Sequence, residues 1–533
     1  MALVERVSGM SVAAALANRA IIDPEGAFLL HQDQVIPFGQ VEARSDALAA
    51  SFHSLGIEAG DRVALLLPPC PEFVLAMFAA AKLGATIVPM NPRITRPELH
   101  YMLRHSETVL VVTVENHGGE DYLAVFDELL PQLPELQYVV TVGKEDLWYD
   151  DQIFQFEDLL SAGEGRDFPT VAIEPTEDCF AILYTAGTMG KPKGVELTHS
   201  NLLEVALETA VRLGLVPEDR VIGVTAFFHV FGLGPGILGS ILAGSSLILQ
   251  SGFGAAETLA LIQRHRATVH YGIPTLFSTG LHEQKEANLD LSSLRVALAA
   301  GGPASDELIR AVEEGVCSDF RVAYSLTETA SVVSMTSPDD PAEKRLHTVG
   351  RPLPGVEVQV LDNDGTPLPP ESVGEIALKS PGLMRGYYRQ PGETRAVKRK
   401  DGFFLTGDMG MLDEEGFLHL VGRRREVIIR DGFSVYPREV EYRLQAHPAV
   451  SEAAVVGFPD EVLGEAICAC IVPIEGAIVT GPEIMDWCRV ILADYKVPDR
   501  VRFLDEFPRT GTGKPRRVEL ARMLRAEFLS RNS

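Results

Sequence analysis

The sequence predicts an α/β protein with largely parallel, doubly wound sheets, followed by a small β-rich subdomain and a small α+β unit. Three observations carry that prediction. Short apolar runs alternate with helical patterns over most of the chain, the signature of strands crossing back through helices. From about Gly355 the helices give way to short strands separated by Gly, Pro and Asp turns. A basic run, Arg423-Arg424-Arg425, then precedes a compact segment of mixed character.

The elements follow in order. Val41 to Leu55 has helical periodicity, and Leu65-Leu66-Leu67 is a strand stopped by Pro68-Pro69. An Ala-rich helix from Glu72 to Leu83 leads into a strand from Thr86 to Pro89. Tyr101 to Arg104 and Thr108 to Thr113 repeat the alternation. Cys179 to Leu183 is an apolar run that fits a buried strand, and Val195 to Thr198 fits a second. Ser200-Asn201 supply capping residues for a helix reaching Leu213. Val221 to Thr225 is the next strand, and a helix is expected near Gly239. In the β-rich part, Val356 to Leu361, Gly374 to Lys379 and Phe403-Phe404 are the strands.

Bulk properties bound the function. A chain of 533 residues exceeds one core, so two or more domains are expected. The formal charge of -27 argues against nucleic acid and anionic membrane surfaces as partners. No stretch is long and apolar enough to span a bilayer. Early charges at Glu5 and Arg6 do not fit a secretory signal, and the final Ser-Arg-Asn-Ser is not a peroxisomal one. The six cysteines lie mostly in apolar runs, which suits reduced, buried thiols and a cytoplasmic setting. Cys468 and Cys470 share one strand face. With no histidine near them, a packed sheet face is the favoured reading over a metal pair.

The richest chemistry lies between Tyr184 and His199. Gly187, Gly190 and Gly194 are interleaved with Thr185, Thr188, Lys191 and Lys193. Glycines permit close backbone approach to an anion, and amides, hydroxyls and ammonium groups make a phosphate cradle. A Walker A loop is excluded, because Lys191 is followed by Pro192 and a second strand precedes any helix. A solvated Gly/Lys turn is the plain alternative. Glu328, in Ala-Tyr-Ser-Leu-Thr-Glu, fits a Mg²⁺ ligand if it faces that loop. Asp408, in Leu-Thr-Gly-Asp, is placed at a strand end, where it can accept hydrogen bonds from a ribose diol, or else caps a turn. Lys514 lies on a Gly-rich loop suited to movement, and a solvated basic turn is the plain alternative there. Gly234-Pro-Gly-Ile-Leu-Gly239 fits the dinucleotide pattern G-x-G-x-x-G, but it does not directly follow a strand and carries proline in the tight turn, so it is set aside.

Taken together these motifs resemble the adenylate-forming superfamily of acyl- and aryl-CoA synthetases, peptide-synthetase adenylation domains and beetle luciferases. The resemblance is carried by Tyr184 to Gly194, Phe228-His229-Val230-Phe231-Gly232, Ala300-Gly301-Gly302 and Tyr324 to Glu328. It continues through Gly350-Arg351-Pro352, Gly386-Tyr387-Tyr388, Thr406-Gly407-Asp408, Gly422-Arg423, Tyr436 to Glu441 and Gly511 to Lys514, covering nearly the whole chain in order.

The resemblance implies an N-terminal domain over residues 1–422 and a mobile C-terminal domain over 423–533, hinged near Arg425. It assigns Thr185, Gly187, Thr188 and Lys193 to the phosphate loop, and Thr327 and Glu328 to phosphate and Mg²⁺. Gly301, Gly302 and Tyr324 would border the adenine and acyl pocket, with His229 against the carboxylate. Asp408 and Arg423 would hold the ribose, Lys514 would bridge carboxylate and α-phosphate, and Gly432 would line the pantetheine tunnel. The implied activity is an ATP-dependent acyl-CoA synthetase using Mg²⁺ and coenzyme A on a fatty or aryl carboxylic acid. The alternatives are an enzyme loading a carrier protein or a degenerate nucleotide-binding homologue; a homodimer stays open. Ala186 and Met189 stand where the family commonly has hydroxyl residues. Amino-acid-activating relatives usually carry an aspartate where this chain has His229, so an apolar acid is the expected substrate.

Overall fold

Five parallel strands form the body of an eight-stranded sheet: Thr86–Pro89, Arg62–Leu66, Leu110–Val114, Tyr138–Val142 and Ile153–Gln155. Thr86–Pro89 is buried at every position, as a parallel strand covered on both faces must be. This is the predicted strand, residue for residue. The structure, a computed structural model, describes residues 7, 9–145, 147, 151–185, 192–223, 226–252, 254–302, 304–423, 426–430, 433–460, 463–490, 492–509 and 515–531.

On its functional side this sheet changes character. Cys179–Thr185 lies parallel to Thr86–Pro89, but Lys193–Thr198 returns antiparallel to it, and the short strand Gly386–Tyr387 closes the edge, again antiparallel. The helix after the hairpin runs His199–Leu213, so it starts ahead of Ser200 and Asn201, the residues expected to cap it. Thr198 is its cap: the Thr198 hydroxyl accepts from the Asn201 amide at 3.1 Å, and the Asn201 side chain accepts from the Thr198 amide at 3.0 Å.

A nine-stranded sheet packs with the first one. Its parallel centre is Phe320–Leu326, Val296–Ala300, Val269–Gly272, Arg220–Ile222, Ser246–Ile248 and Ala27–His31 in spatial order. The predicted strand Val221–Thr225 is shorter than expected, and Val224 and Thr225 lie outside the described residues. The Ala-rich helix, Pro71–Lys82, is buried from Phe73 to Ala81, and its small side chains admit close packing. The set-aside glycine motif lies in a fully buried π-helical segment, Gly232–Leu238, that continues into Gly239–Ala243. It offers no turn at a strand end for a pyrophosphate.

The β-rich part is a four-stranded antiparallel sheet: Glu357–Leu361, Gly374–Lys379, Phe404–Leu412 and Leu418–Arg423. One apolar core runs through both large sheets and reaches this one, its last member being Leu418. Beyond it, two further cores are built only from residues numbered 428 and above. They lie around Val450–Asp460 and Gly464–Pro473, flanked by Ile428–Arg430 and Arg500–Phe503. Cys468 and Cys470 are both fully buried in one of these cores, on the packed sheet face expected of them.

Two histidines are buried neutral. His199 accepts from the Val12 amide through Nδ1 at 3.1 Å, and burial pushes its pKa down to about 4. His270, on Val269–Gly272, has no hydrogen-bond partner for either ring nitrogen, and burial pushes its pKa down to about 3. Both values lie below the ordinary 6.5, so the unfolded chain takes up these protons first as pH falls. Stability from these groups is therefore intact above about pH 6.5 and is lost downward through 4 and 3, each steepening the fall by up to about 1.4 kcal/mol per pH unit. We predict that His270→Leu makes the acid limb shallower by one proton, read from urea midpoints across that range. An unchanged slope refutes this.

Candidate active site

The hairpin brings the two feet of the Gly-rich loop together. Thr185 and Lys193 are register partners, and the loop between them, with Ala186, Gly187, Thr188, Met189 and Lys191, lies outside the described residues. Gly194 is needed beside Lys193, because a Cβ there would sit 2.8 Å from the Ile182 side chain. The Lys193 ammonium pairs with Glu393 and lies 4.8 Å from the centre of the Tyr387 ring.

Tyr387 connects this lysine to the predicted metal ligand. Its hydroxyl donates to Glu328 Oε1 at 2.9 Å, and the Met384 amide donates to the Glu328 carbonyl at 2.9 Å. Glu328 sits on the short helical turn Thr327–Thr329, at the carboxyl end of Phe320–Leu326. That turn approaches the segment before Tyr387 closely: a Cβ on Gly382 would lie 2.3 Å from the Thr329 carbonyl oxygen. Just after Glu328, Ala330 and Ser331 have φ of 54° and 116°, a strained pair of the kind that collects at functional sites.

The expected ribose ligands also meet. Asp408 was placed at a strand end; the structure puts it inside Phe404–Leu412. Glu375 pairs with Met409 and Ala377 with Leu405, so Thr406, Gly407 and Asp408 bulge opposite the single residue Ile376. The Thr406 hydroxyl donates to the Ile376 carbonyl at 2.8 Å and accepts from the Asp408 amide at 3.0 Å, and Gly407 supplies a φ of 71°. The bulge aims the buried Asp408 carboxylate at two donors, the Tyr324 hydroxyl at 2.6 Å and Arg423 Nε at 2.8 Å. Burial, then the Asp408 charge, holds the Tyr324 phenol well above its ordinary pKa. Ala300 pairs with Ala323, so Gly301 and Gly302 follow directly beside Tyr324.

His229 lies on a turn, its Nδ1 accepting from the Phe231 amide at 3.4 Å. The buried segment after it passes Ala330, with a Cβ on Gly234 falling 3.5 Å from the Ala330 carbonyl oxygen. The Phe231 ring is 5.4 Å from that of Tyr271. Gly432 and Lys514 lie outside the described residues. The helix after Lys514, Arg517–Arg531, is fixed by Arg517. Its guanidinium grips the buried Glu441 carboxylate at 2.6 and 2.9 Å and reaches Glu426 at 3.2 Å.

Tyr387, Glu393 and Arg517 have no role in the sequence reading, although Tyr387 stands within one of its motifs. Thr327 shares the Glu328 turn. The structure thus gathers Thr185, Lys193, Thr327 and Glu328 on one side, and Tyr324, Asp408, Arg423, Gly301 and Gly302 on the other. Among the described residues no three carboxylate, histidine or cysteine side chains cluster as a metal site. The lone Glu328, with no described protein donor on its second oxygen, suits Mg²⁺, which takes few protein ligands and fills its shell with phosphate and water oxygens.

The model of the AMP-binding enzyme family matches residues 13–388, and that of the AMP-binding enzyme C-terminal domain matches 439–514. A long-chain-fatty-acid–CoA ligase of Bacillus subtilis (strain 168) is 32% identical over 517 residues, covering 94% of this chain and 92% of its own. Among solved structures, the anthranilate CoA ligase AuaEII in complex with anthranoyl-AMP superposes with a TM-score of 0.87 at 27% identity, covering 96% of each chain. The o-succinylbenzoate coenzyme A synthetase MenE of Bacillus subtilis, in complex with ATP and magnesium ion, superposes with a TM-score of 0.81 at 30% identity, covering 95% of this chain and 98% of that one.

The Thr406–Asp408 bulge gives a direct prediction. A Cβ on Gly407 meets nothing within 4 Å, so Gly407→Ala costs only the left-handed conformation, about 1–2 kcal/mol. Chemical denaturation measures it. A neutral effect on stability means that the bulge relaxes and no longer fixes Asp408.

Proposed function

This chain belongs to the AMP-binding enzyme family, and on that footing we propose that it joins a fatty or aryl carboxylic acid to coenzyme A at the expense of ATP. The observation that carries the proposal is the pair of groups on either side of Tyr387. A carboxylate suited to Mg²⁺ and a lysine at the foot of a Gly-rich loop meet at one ring, beside a carboxylate held for a diol.

The chemistry follows from charge. A substrate carboxylate oxygen forms a bond to the α-phosphorus of ATP while the bond from that phosphorus to the bridging oxygen breaks, and pyrophosphate leaves with the electron pair. Two anions must approach each other, so cations are needed where charge accumulates. Lys193 serves the polyphosphate and Lys514 the carboxylate and α-phosphate. Mg²⁺ held at Glu328 would supply further neutralisation of the phosphate oxygens. Asp408, fixed by Tyr324 and Arg423, orients the ribose. In the second step the thiol sulfur of coenzyme A attacks the acyl carbon, the carbon–oxygen bond to AMP breaks, and the thiol proton passes to solvent. The adenylate is reactive toward water, so the site must be covered while it exists.

An apolar acid is favoured by Ile273, which is 40% exposed just beyond the carboxyl end of Val269–Gly272. A Cβ on Gly301 would lie 3.7 Å from its side chain, so the missing side chain opens space beside an apolar wall. Parallel sheets bind ligands at this edge. Free cysteines throughout support a cytoplasmic setting, and among the described residues no helix is long and apolar enough to cross a membrane. We also propose the division at 422/423 as the working domain boundary. The two cores built only from residues beyond 427 support it, and we propose Arg425 as the pivot, after the strand that ends at Arg423.

The direct test is coenzyme A-dependent pyrophosphate release with fatty, aryl and amino acids. Fatty or aryl acids should turn over and amino acids should stay at background, since a buried ammonium lacks an anionic partner at His229. Robust turnover of a proteinogenic amino acid overturns the assignment. For the pivot, Arg425→Pro is expected to leave acid-dependent ATP–pyrophosphate exchange mostly intact while stopping acyl-CoA formation, because proline fixes φ. Wild-type rates in both assays place the pivot elsewhere.

A further inference from the structure

The two residues before the strand Gly386–Tyr387 are held by a lysine that takes no part in the chemistry above. The Lys398 ammonium donates to the Met384 carbonyl at 2.6 Å and to the Arg385 carbonyl at 2.9 Å. These residues lead directly into Tyr387, whose hydroxyl meets Glu328 Oε1, while the Met384 amide meets the Glu328 carbonyl. The segment therefore touches Glu328 at both its side chain and its main chain. The peptide joining Met384 and Arg385 is held at both ends: its carbonyl accepts from Lys398, and its N–H donates to the Glu196 carbonyl at 2.9 Å. A planar peptide pinned at two opposite ends resists rotation.

Lys398 follows the helix Pro391–Val397, and its main chain pairs antiparallel with Phe404, the first residue of the strand that carries the Thr406–Asp408 bulge. One residue thus joins the two sides of the site. Its main chain belongs to the frame of Asp408, and its side chain reaches the segment that meets Glu328. The lysine is partly buried. Burial, then the Arg385 charge, lowers its pKa, while the Glu196 carboxylate raises it. An ammonium drawn partly out of water is costly unless its protons are given to acceptors, and here two main-chain carbonyls take them.

We propose that Lys398 is a positioning residue that sets Glu328, through Met384 and Tyr387, for the Mg²⁺ that accompanies ATP. Mg²⁺ demands near-octahedral geometry, so a single carboxylate serves it only where phosphate and water oxygens can complete the shell. The described donor to the Glu328 carboxylate is the Tyr387 hydroxyl, so the place of Tyr387 decides the place of that oxygen. The proposal rests on the reading of Glu328 as the Mg²⁺ ligand, and it makes a distinction that general stability does not. AMP lacks the outer phosphates, and its ribose is framed by Asp408, Tyr324 and Arg423, which the Lys398 ammonium does not contact. The Mg²⁺-dependent part of ATP affinity should therefore depend on this ammonium, whereas AMP affinity should not.

The test is calorimetric titration of three ligands into the full chain: ATP with Mg²⁺, ATP with a chelator in its place, and AMP. The quantity compared is the gain in ATP affinity on adding Mg²⁺. Lys398→Met keeps the length of the side chain and removes its donors. It is expected to cut that gain by about three- to tenfold, the range of one lost hydrogen bond, with AMP unchanged. Lys398→Arg keeps charge and donors and is expected to retain most of the gain. Where Lys398→Met does not fold, Lys398→Gln, which is uncharged with a single amide, decides by the same measure. Equal weakening of ATP and AMP, or an undiminished gain, overturns the positioning role. If the wild type shows no gain, or Glu328→Gln keeps all of it, the reading of Glu328 as the metal ligand falls and this inference with it. If Glu328→Gln abolishes a gain that Lys398→Met leaves intact, the positioning role alone falls.

Discussion

The meeting of Lys193 with Glu328 depends on one departure from parallel pairing. The strand Cys179–Thr185 enters the sheet parallel to its neighbour, and the chain then doubles back as Lys193–Thr198 instead of crossing over through a helix. A crossover would have carried Lys193 away. The return keeps both loop feet at the carboxyl edge of the sheet and leaves an open antiparallel edge, which Gly386–Tyr387 fills. Through that added strand, a phenol from a distant part of the chain reaches the turn bearing Glu328. Gly301, Gly302, Thr327 and Glu328 also follow the carboxyl ends of parallel strands, so two sheets present their binding edges to one space.

The two sides of the site are built on different principles. Around Glu328 and Lys193, position comes from main-chain pairing and a strained turn, leaving charged tips partly open to solvent. Around Asp408, position comes from burial: an aromatic hydroxyl and a guanidinium hold a carboxylate that would otherwise be costly to keep out of water. The first arrangement suits an ion-bearing, exchanging group. The second suits a fixed frame for a neutral sugar.

Much of this was legible in the sequence because it is local. Thr86–Pro89 and Gly374–Lys379 match their predicted bounds, since strand periodicity and flanking turn residues need no tertiary information. The hairpin strands were readable for the same reason. Thr198 was missed as the cap because Ser200 and Asn201 are equally good capping residues, and only geometry shows that Asn201 bonds back to Thr198. Asp408 was misplaced because a bulge is a relation between two strands, and Ile376 lies far upstream. Tyr387 was present in a recognised motif, but its role arises from a partner 59 residues away in sequence.

One further consequence lies in the anchors on either side of Arg424 and Arg425. Arg423 is tied to Asp408 on one side, and Glu426 is tied to Arg517 on the other. Residues 423 and 426 are thus secured by different partners, a carboxylate within the β-rich sheet on one side and the first residue of the last helix on the other. Removing the charge at Asp408 would release one end of this stretch and leave the other held, and removing it at Arg517 would do the reverse.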